Sequence, residues 1–225
     1  MGAIAAGLQA CRERISAACR TAGRAPDSVT LLAVSKTFPA AAVREAWQAG
    51  QRCFGESYLQ EALAKQEALA DLAIEWHFIG PIQSNKTRPV AERFAWVHGI
   101  DRLKIAQRLA EQRPAGLPPL NVCVQVNVSG EASKHGVAPA EAESLAREVA
   151  ALPRLNLRGF MAIPRETADP AQQRDQFARV RGLFERIPGL DTLSMGMSGD
   201  LEAAILEGAT IVRVGTAIFG KRDYS

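Results

Sequence analysis

The chain has 225 residues, of which 47% are hydrophobic and 23% are charged, and its formal net charge at pH 7 is +3. This composition is typical of a globular protein and excludes a disordered, collagen-like or disulfide-rich chain. The apolar runs are too short to span a bilayer, and the basic excess is too small to indicate a nucleic-acid partner. The first positive charges follow the apolar amino-terminal stretch, which is the wrong order for a signal peptide. We therefore expect a cytoplasmic protein with no membrane and no nucleic-acid partner.

Short apolar runs alternate with longer amphipathic stretches along the whole sequence. An amphipathic helix over 2–22 comes first and ends at Gly23. Eight strands are then predicted, and each of the first seven is followed by a helix. The predicted strands cover 30–35, 52–54, 74–79, 95–98, 120–128, 155–163, 192–195 and 210–214. The predicted helices between them cover 40–49, 57–71, 85–93, 101–113, 138–151, 170–187 and 199–207.

Regular alternation of strands and helices indicates parallel strands joined by helical crossovers. Eight such units favour a closed (β/α)8 TIM barrel over an open doubly wound sheet, which usually has fewer strands. No linker or internal repeat interrupts the pattern. We therefore expect a single α/β domain over residues 1–225, with the helix 2–22 covering the bottom or the side of the barrel.

Lys36 is the first candidate site residue, because barrels of this type place their sites at the carboxyl ends of the strands. It ends the first predicted strand in LLAVSKTFP, on the same side of the strand as Leu32 and Val34. A desolvated lysine has a lowered pKa and becomes a nucleophilic amine that can form a Schiff base. The alternative is a structural lysine whose charged end reaches solvent from the end of the strand.

Arg213 is the second candidate, since it lies within the last predicted strand between two valines. A guanidinium inside a barrel needs a partner, because an unpaired buried charge costs several kcal/mol. Two interpretations stay open at this point. One is an ion pair with a carboxylate of the chain, and the other is contact with a ligand.

The loops after the seventh and eighth strands are rich in glycine, and each carries a hydroxyl group. Ser198 lies in the first loop, and Gly215 and Thr216 lie in the second. Ser198 is also a candidate N-cap of the next helix, and barrels frequently bind phosphate with these two loops. The alternative is an ordinary capped helix and a turn, and the charge of Asp200 opposes an anion there. An amine, a buried cation and a phosphate site suit an aldehyde that carries a phosphate, such as pyridoxal 5′-phosphate (PLP).

The cysteines and histidines do not have the spacing of a metal site, so we expect no metal ion. No CxxC pair occurs, and Cys53 and Cys123 lie in apolar runs, where a buried free thiol is the usual state. His77 lies in an apolar strand, and a core histidine and a site residue are equally consistent with its position.

Several segments in order resemble the YggS/PROSC-type pyridoxal phosphate homeostasis proteins, whose barrel is similar to the N-terminal domain of alanine racemase. The resemblance covers nearly the whole chain. Its segments are LLAVSKTFP (31–39), FGESYLQEA (54–62), WHFIGPIQSNK (76–86), QVNVSGEASKHGV (125–137), LRGFMAIP (157–164), LSMGMSGDLEAAI (193–205) and VRVGTAIFGKRDY (212–224).

The resemblance implies a PLP site at the mouth of the barrel. It implies that Lys36 holds PLP as a Schiff base and that Arg213 faces the pyridine nitrogen. It also implies that the phosphate is held by Ser198, Gly215 and Thr216, and that Met161 packs near the ring.

The sequence departs from the family pattern at three positions. Ser57 stands where the family commonly has Asn, which is a longer side chain with an amide. Gly199 stands at a position that is commonly Asp, and Phe38 at one that is often basic. Neither of the last two positions alters the pair of Lys36 and Arg213.

The function that the resemblance implies is PLP homeostasis: the protein holds PLP and releases it to apo-enzymes as partners. An arginine at the pyridine nitrogen weakens the ring as an electron sink, which disfavours chemistry that needs a strongly stabilised carbanion and leaves racemisation possible. Alanine racemase takes a second acid/base group, a tyrosine, from a further domain, and we expect no such domain here. We therefore expect a monomeric carrier without robust turnover.

Two alternatives to the carrier stay open. The first is a small PLP-dependent amino-acid racemase that uses Lys36 as its base. The second is a phosphosugar isomerase or aldolase of the same fold. Lys86 and Lys134 follow the third and fifth strands, and either is a solvated loop lysine or a transient anchor for PLP.

Overall fold

The computed structural model describes residues 2–131 and 134–221. Its eight parallel strands form a closed barrel in sequence order, and the first strand completes the barrel by pairing with the last. The strands are β1 (Thr30–Val34), β2 (Cys53–Glu56), β3 (Glu75–Phe78), β4 (Trp96–Ile100), β5 (Leu120–Val126), β6 (Leu155–Ala162), β7 (Thr192–Ser194) and β8 (Ile211–Val214). The helices are α1 (Ala3–Thr21), α2 (Ala40–Gln48), α3 (Leu59–Ala68), α4 (Thr87–Arg93), α5 (Leu103–Gln112), α6 (Pro139–Ala150), α7 (Pro170–Phe184), α8 (Leu201–Leu206) and α9 (Thr216–Phe219). The predicted (β/α)8 TIM barrel is confirmed.

The predicted elements are all present, and the differences lie at their ends. Helix α4 begins at Thr87 after a short 3-10 turn, and Pro89 lies in its first turn, where a proline is tolerated. Helix α8 begins only at Leu201, two residues later than predicted. Helix α9 was not predicted, because an apolar run of four residues has no helical periodicity that would distinguish it from a strand.

Alternate strand residues face two separate cores. A cluster of Leu32, Trp96, Cys123, Met161 and Ile211 belongs to the strand face inside the barrel. Their neighbours in sequence, such as Ala33, Val97 and Val212, join a larger cluster that packs against the helices. This alternation leaves Lys36 and Arg213 on the inner side, at the carboxyl end of the barrel.

Helix α1 lies against the side of the barrel, where it packs on α8, α9 and α2. Arg14 in α1 donates two hydrogen bonds to the Glu202 carboxylate, of 2.7 and 2.8 Å, and one of 3.0 Å to the Ser198 carbonyl. The helix therefore holds the loop after β7 from outside. Within the described ranges, no helix is long and apolar enough to cross a membrane.

Candidate functional site

A cleft of about 930 Å³ opens at the carboxyl end of the barrel. Its volume lies within the range of small-molecule sites. Six of the seven site residues predicted from the sequence line it: Lys36, Ser57, Ser198, Arg213, Gly215 and Thr216. The ends of β1, β2 and β8 and the loop after β7 therefore meet around one volume, as the barrel topology predicts.

Met161 is the predicted site residue that the structure places elsewhere. Its side chain is fully buried in the inner core and does not line the cleft. Ile163, two residues later on the same face of the chain, lines the cleft instead. Met161 is the penultimate residue of strand β6, whereas Ile163 lies just beyond the end of the strand.

Lys36 lies between two cavities. It is half-buried and lines both the cleft and a second cavity of about 600 Å³. The two cavities share Ser57, Ile79 and Ile163 as well. The lack of a side chain at Gly80 allows the Ser57 backbone to lie close to it, since a Cβ atom at Gly80 would lie only 2.3 Å from the Ser57 carbonyl oxygen.

A buried ionic cluster in α3 and β2 fixes the chain on both sides of Lys36. The Lys65 ammonium donates hydrogen bonds of 2.7 Å to both the Glu56 carboxylate and the Ser35 carbonyl, and it also contacts Glu61. The Ser35 hydroxyl donates to Glu56 at 2.6 Å. The Thr37 N–H donates to Glu61 at 2.6 Å. The residues before and after Lys36 are thus both held by this cluster.

The cluster also holds a strained backbone. Thr37 has a φ of +71°, a region that a β-branched residue rarely adopts, and such strain costs on the order of 1–3 kcal/mol. Burial raises the pKa of Glu56, while the Lys65 charge opposes this rise. The cluster cannot be predicted from the sequence, because nothing in the spacing of Glu56 and Lys65 shows that they face each other.

Arg213 is buried within the barrel and has no carboxylate partner among the described residues. Its Nη1 donates to the carbonyl and, at 2.8 Å, to the hydroxyl of Ser194, and its Nη2 donates to the Ala162 carbonyl at 2.8 Å. Burial lowers the pKa of Arg213 to about 10, against the opposing charge of Asp200. The ion-pair interpretation is therefore wrong, and a buried cation faces the cleft.

The loop after β7 turns sharply beneath the cleft. Gly196 has a φ of +94°, and a Cβ atom there would lie 2.6 Å from the Ala204 methyl group. The Asp200 carboxylate accepts a hydrogen bond from the Met197 N–H, and Asp200, not Ser198, is the residue that precedes α8. The prediction of Ser198 as N-cap is therefore wrong, and its hydroxyl is left to line the cleft.

Two carboxylates, Glu166 and Asp200, line the cleft beside these polar groups. Burial raises the pKa of Asp200, while the Met197 N–H opposes the rise. Glu166 comes from the loop after β6, which sequence analysis did not consider, because loop residues have no periodic signal.

Lys86, Lys134 and Phe38 have distinct surroundings. Lys86 lines the second cavity together with Lys36. The Lys134 ammonium donates to the Pro164 carbonyl at 2.8 Å and pairs with Glu131 at 2.5 Å. Phe38 stacks on Phe219 with their ring centroids 5.1 Å apart, which accounts for an aromatic residue at this position.

The described residues hold one cluster of possible metal ligands, at the amino-terminal end of the barrel. One ligand atom from each of Cys53, Glu75 and His77 lies within 4.8 Å of the others. Hydrogen bonds account for this closeness, since Cys53 Sγ lies 3.5 Å and His77 Nε2 3.0 Å from the same Glu75 oxygen. His77 is therefore a core histidine with polar partners.

The chain was compared with known proteins. Residues 7–223 match the family model described as alanine racemase, N-terminal domain. The chain is 67% identical over its full length to the pyridoxal phosphate homeostasis protein of Pseudomonas aeruginosa, covering 98% of that protein. It is 56% identical to the protein of the same name from Escherichia coli K12, covering 100% of this chain and 99% of that protein. The structure of PipY from Synechococcus elongatus PCC7942 with PLP bound is 38% identical and has a TM-score of 0.83, covering 96% of this chain and 100% of PipY.

Proposed function

The chain belongs to the alanine racemase N-terminal domain family and, within it, to the pyridoxal phosphate homeostasis proteins, and on this premise we propose that it binds PLP in the barrel cleft and releases it to apo-enzymes. The observation that carries the proposal is the meeting of an amine, a buried cation and two hydroxyl groups in one cleft: Lys36, Arg213, Ser198 and Thr216. These groups match the aldehyde, the ring nitrogen and the phosphate of PLP.

The residues of the cleft fit the cofactor in size and in chemistry. When bound, PLP supplies an aldehyde that an amine captures and a pyridine ring that withdraws electrons. Lys36 would hold the aldehyde covalently, and Arg213 would donate a hydrogen bond to the ring nitrogen. Ser198, Gly215 and Thr216 would hold the phosphate with their hydroxyl and N–H groups. Ser57 and the apolar side chain of Ile163 would line the site beside the ring.

Arg213 favours binding over carbanion chemistry. A guanidinium with a pKa of about 10 remains charged at neutral pH, so it donates a proton to a hydrogen bond and accepts none. The ring nitrogen would then act only as an acceptor and stay unprotonated, which weakens electron withdrawal. This supports a carrier over an enzyme that must stabilise a strong carbanion.

The second face of the cleft also supports a carrier. Racemisation in two-base fashion needs an acid/base group on each face of the substrate. No tyrosine lines the cleft among the described residues; Tyr58 is 56% exposed and lines the second cavity, and Tyr224 lies outside the described residues. We propose a monomer in the cytoplasm that carries PLP without robust turnover, with PLP-dependent apo-enzymes as recipients.

Access to the cleft suits an exchangeable cofactor. Met197, Gly199 and Thr216 on its rim are exposed to solvent. A ligand that enters past such residues can leave by the same route. Release to an acceptor needs no unfolding of the barrel.

Borohydride reduction of the protein with PLP is expected to give one adduct, on Lys36. Peptide mass mapping locates the adduct, and the Lys36→Ala variant should lose it completely. Lys86→Arg and Lys134→Arg are the matched controls and should keep it. Adducts on several lysines, with none on Lys36, would contradict the proposed site. The phosphosugar isomerase or aldolase would then be the favoured function.

Transfer and turnover then distinguish a carrier from a racemase. The loaded protein is expected to restore activity to an apo-enzyme that depends on PLP. Incubation with L-amino acids is expected to yield no D-form at rates typical of enzymes, as read by chiral chromatography. Turnover of about 1 s⁻¹ or faster would overturn the carrier.

Ser198→Ala and Thr216→Val are each expected to weaken PLP binding by about tenfold or more, since a hydrogen bond to a charged group contributes roughly 1.5–3 kcal/mol. Pyridoxal, which lacks the phosphate, is the internal control, and its affinity should change little. Titration of the apo-protein with PLP and with pyridoxal gives the dissociation constant of each ligand for the wild type and for each variant. An equal loss of affinity for PLP and for pyridoxal would show that Ser198 and Thr216 do not hold the phosphate.

A further inference from the structure

A continuous chain of hydrogen-bonded side chains crosses the barrel interior from Glu75 to Arg213. Glu75 Oε1 lies 3.0 Å from His77 Nε2, and His77 Nδ1 lies 2.9 Å from His98 Nε2. His98 Nδ1 lies 2.7 Å from the Ser194 hydroxyl oxygen, which accepts from Arg213 Nη1 at 2.8 Å. We call these five residues the relay. It joins strands β3, β4, β7 and β8.

The inner members of the relay have no access to solvent. His98 and Ser194 are 0% exposed and His77 is 1% exposed, so their polar atoms meet one another and not water. The two ends of the relay, in contrast, reach the surface or the cleft. Glu75 is exposed at the amino-terminal end of the barrel, and Arg213 lines the cleft.

The carboxylate of Glu75 fixes the order of the protons, because it can only accept. A neutral His77 therefore carries its proton on Nε2, donates it to Glu75 and accepts at Nδ1 from His98 Nε2–H. A neutral His98 then accepts at Nδ1 from the Ser194 hydroxyl, whose oxygen accepts from Arg213. All four hydrogen bonds run from Arg213 toward Glu75.

The surrounding charges agree with two neutral histidines. Burial lowers the pKa of His98 well below its usual value, and the neighbouring His77 and Arg213 lower it further. Burial also lowers the pKa of His77, although Glu75 opposes this. The hydrogen bond from His77 lowers the pKa of Glu75, so this end of the relay is a carboxylate.

The rings around the histidines restrict their rotation. Trp96 stacks on His77 with centroids 5.3 Å apart and planes 4° from parallel, and it lies 5.8 Å from His98. Arg158 covers Trp96, with its Cζ 4.7 Å from the ring centroid. Packing therefore holds the orientations of the two rings, and the hydrogen bonds of their nitrogens set the tautomers.

We propose that His77 and His98 are positioning residues for Arg213, and that the relay fixes the guanidinium in one orientation with its protons ordered toward Glu75. A change in the group that Arg213 contacts in the cleft then alters the hydrogen bonding of His98, because Ser194 joins the two side chains. Only this last step rests on the proposed function, since it takes PLP as the ligand that meets Arg213.

The first test uses the apo-protein and nitrogen-15 NMR of its histidine rings. The chain has three histidines, so His77→Gln, His98→Gln and His135→Gln assign every signal. His135 is exposed and serves as the reference for a ring in solvent. We expect His77 and His98 to be neutral, with the proton on Nε2 in both. A proton on Nδ1 of His98, or on both of its nitrogens, would overturn the order.

The second test adds PLP and follows the same signals. We expect the His98 ring nitrogens to shift on loading in the wild type and to shift much less in Ser194→Ala, in which the relay is cut while the Ser194 carbonyl still accepts from Arg213. Mass analysis of the reduced adduct reports binding separately. Loading without a change at His98 would overturn the connection to the cleft. Absence of any adduct would instead contradict the proposed function, and the apo-protein tautomers would still decide the relay.

Discussion

Lys65→Met is expected to lower the free energy of unfolding of the apo-protein by about 3–5 kcal/mol, the cost of breaking a buried ion pair from one side. Lys65 is 5% exposed and Glu56 is 0% exposed, so removal of the ammonium leaves a carboxylate buried without a cation. Methionine is a good helix former of similar length, so α3 itself is not expected to unfold. Urea denaturation of both proteins measures the difference.

The control for this substitution is Lys104→Met, on the exposed surface of helix α5. It removes the same charge from a helix and is expected to change stability by no more than about 0.5 kcal/mol. In Lys65→Met, lower pH should reduce the deficit, because protonation of Glu56 removes the unpaired charge. A deficit below about 1 kcal/mol at every pH would show that the cluster contributes no more than a surface ion pair.

The same substitution tests the support of Lys36. Ser35 loses its hydrogen bond from Lys65, and Glu61, which accepts from the Thr37 N–H, loses its ionic partner. The chain around Lys36 is then freer to relax from the positive φ of Thr37. We expect slower formation of the PLP adduct on Lys36 in Lys65→Met than in Lys104→Met. The stability deficit and the slower reaction would then have one physical origin.

The fold could be predicted from the sequence because its signal is periodic. Eight apolar runs alternate with amphipathic stretches, and only a closed barrel gives eight parallel strands two neighbours each. The ends of the elements were less certain. Helix α8 begins after Asp200, because the Asp200 carboxylate accepts from the Met197 N–H and so extends the loop at the expense of the helix.

The candidate site could be predicted where its residues lie at strand ends, and not where they depend on pairs distant in sequence. The location of Lys36 and Arg213 at the mouth of the barrel follows from their positions at the ends of predicted strands. The partners of Arg213 do not, because Ser194 and Ala162 reach it only through the closure of the barrel. The burial of Lys65 beside Glu56 is a second example. Lys65 is one of six lysines, and nothing in the sequence distinguishes it as buried.

The two buried clusters divide the support of the site between them. The cluster around Lys65 holds the backbone beside the amine of Lys36. The relay holds the side chain of Arg213 from inside the barrel. A ligand that contacts both Lys36 and Arg213 thus meets a backbone and a guanidinium whose positions are set before it binds, which lowers the entropy cost of binding.

Acidification from pH 7 to pH 5 is expected to lower the stability of the apo-protein by up to roughly 4 kcal/mol, because of two histidines that the fold keeps neutral. Burial lowers the folded-state pKa of His77 and His98, whereas the unfolded chain takes up their protons below about pH 6.5. Their contribution is therefore complete above that pH and is lost as pH falls toward the folded-state values. Each histidine adds a slope of about 1.4 kcal/mol per pH unit in this window.

The other titrating groups affect the stability of the protein over a different pH range or in the opposite direction. Glu75, the carboxylate that faces His77, has a lowered pKa, so its contribution is lost only below about pH 4.5. Glu56 and Asp200 have raised pKa values and bind protons in the folded state, which offsets part of the loss on acidification. Comparison between variants removes these background contributions, since they are common to all of them.

His98→Gln should therefore reduce the histidine part of this pH dependence by about half, because one of the two neutral rings is gone. Its absolute stability will also fall, since Ser194 and His77 lose a partner, but the measured quantity is the change between pH 7 and pH 5. His135→Gln, which alters an exposed ring outside the relay, is the matched control and should keep the wild-type change. Urea denaturation at both pH values gives the three differences. An equal change in the wild type and in His98→Gln would mean that His98 takes up a proton as readily in the folded barrel as in the unfolded chain, and the relay would then not hold this ring in its neutral form.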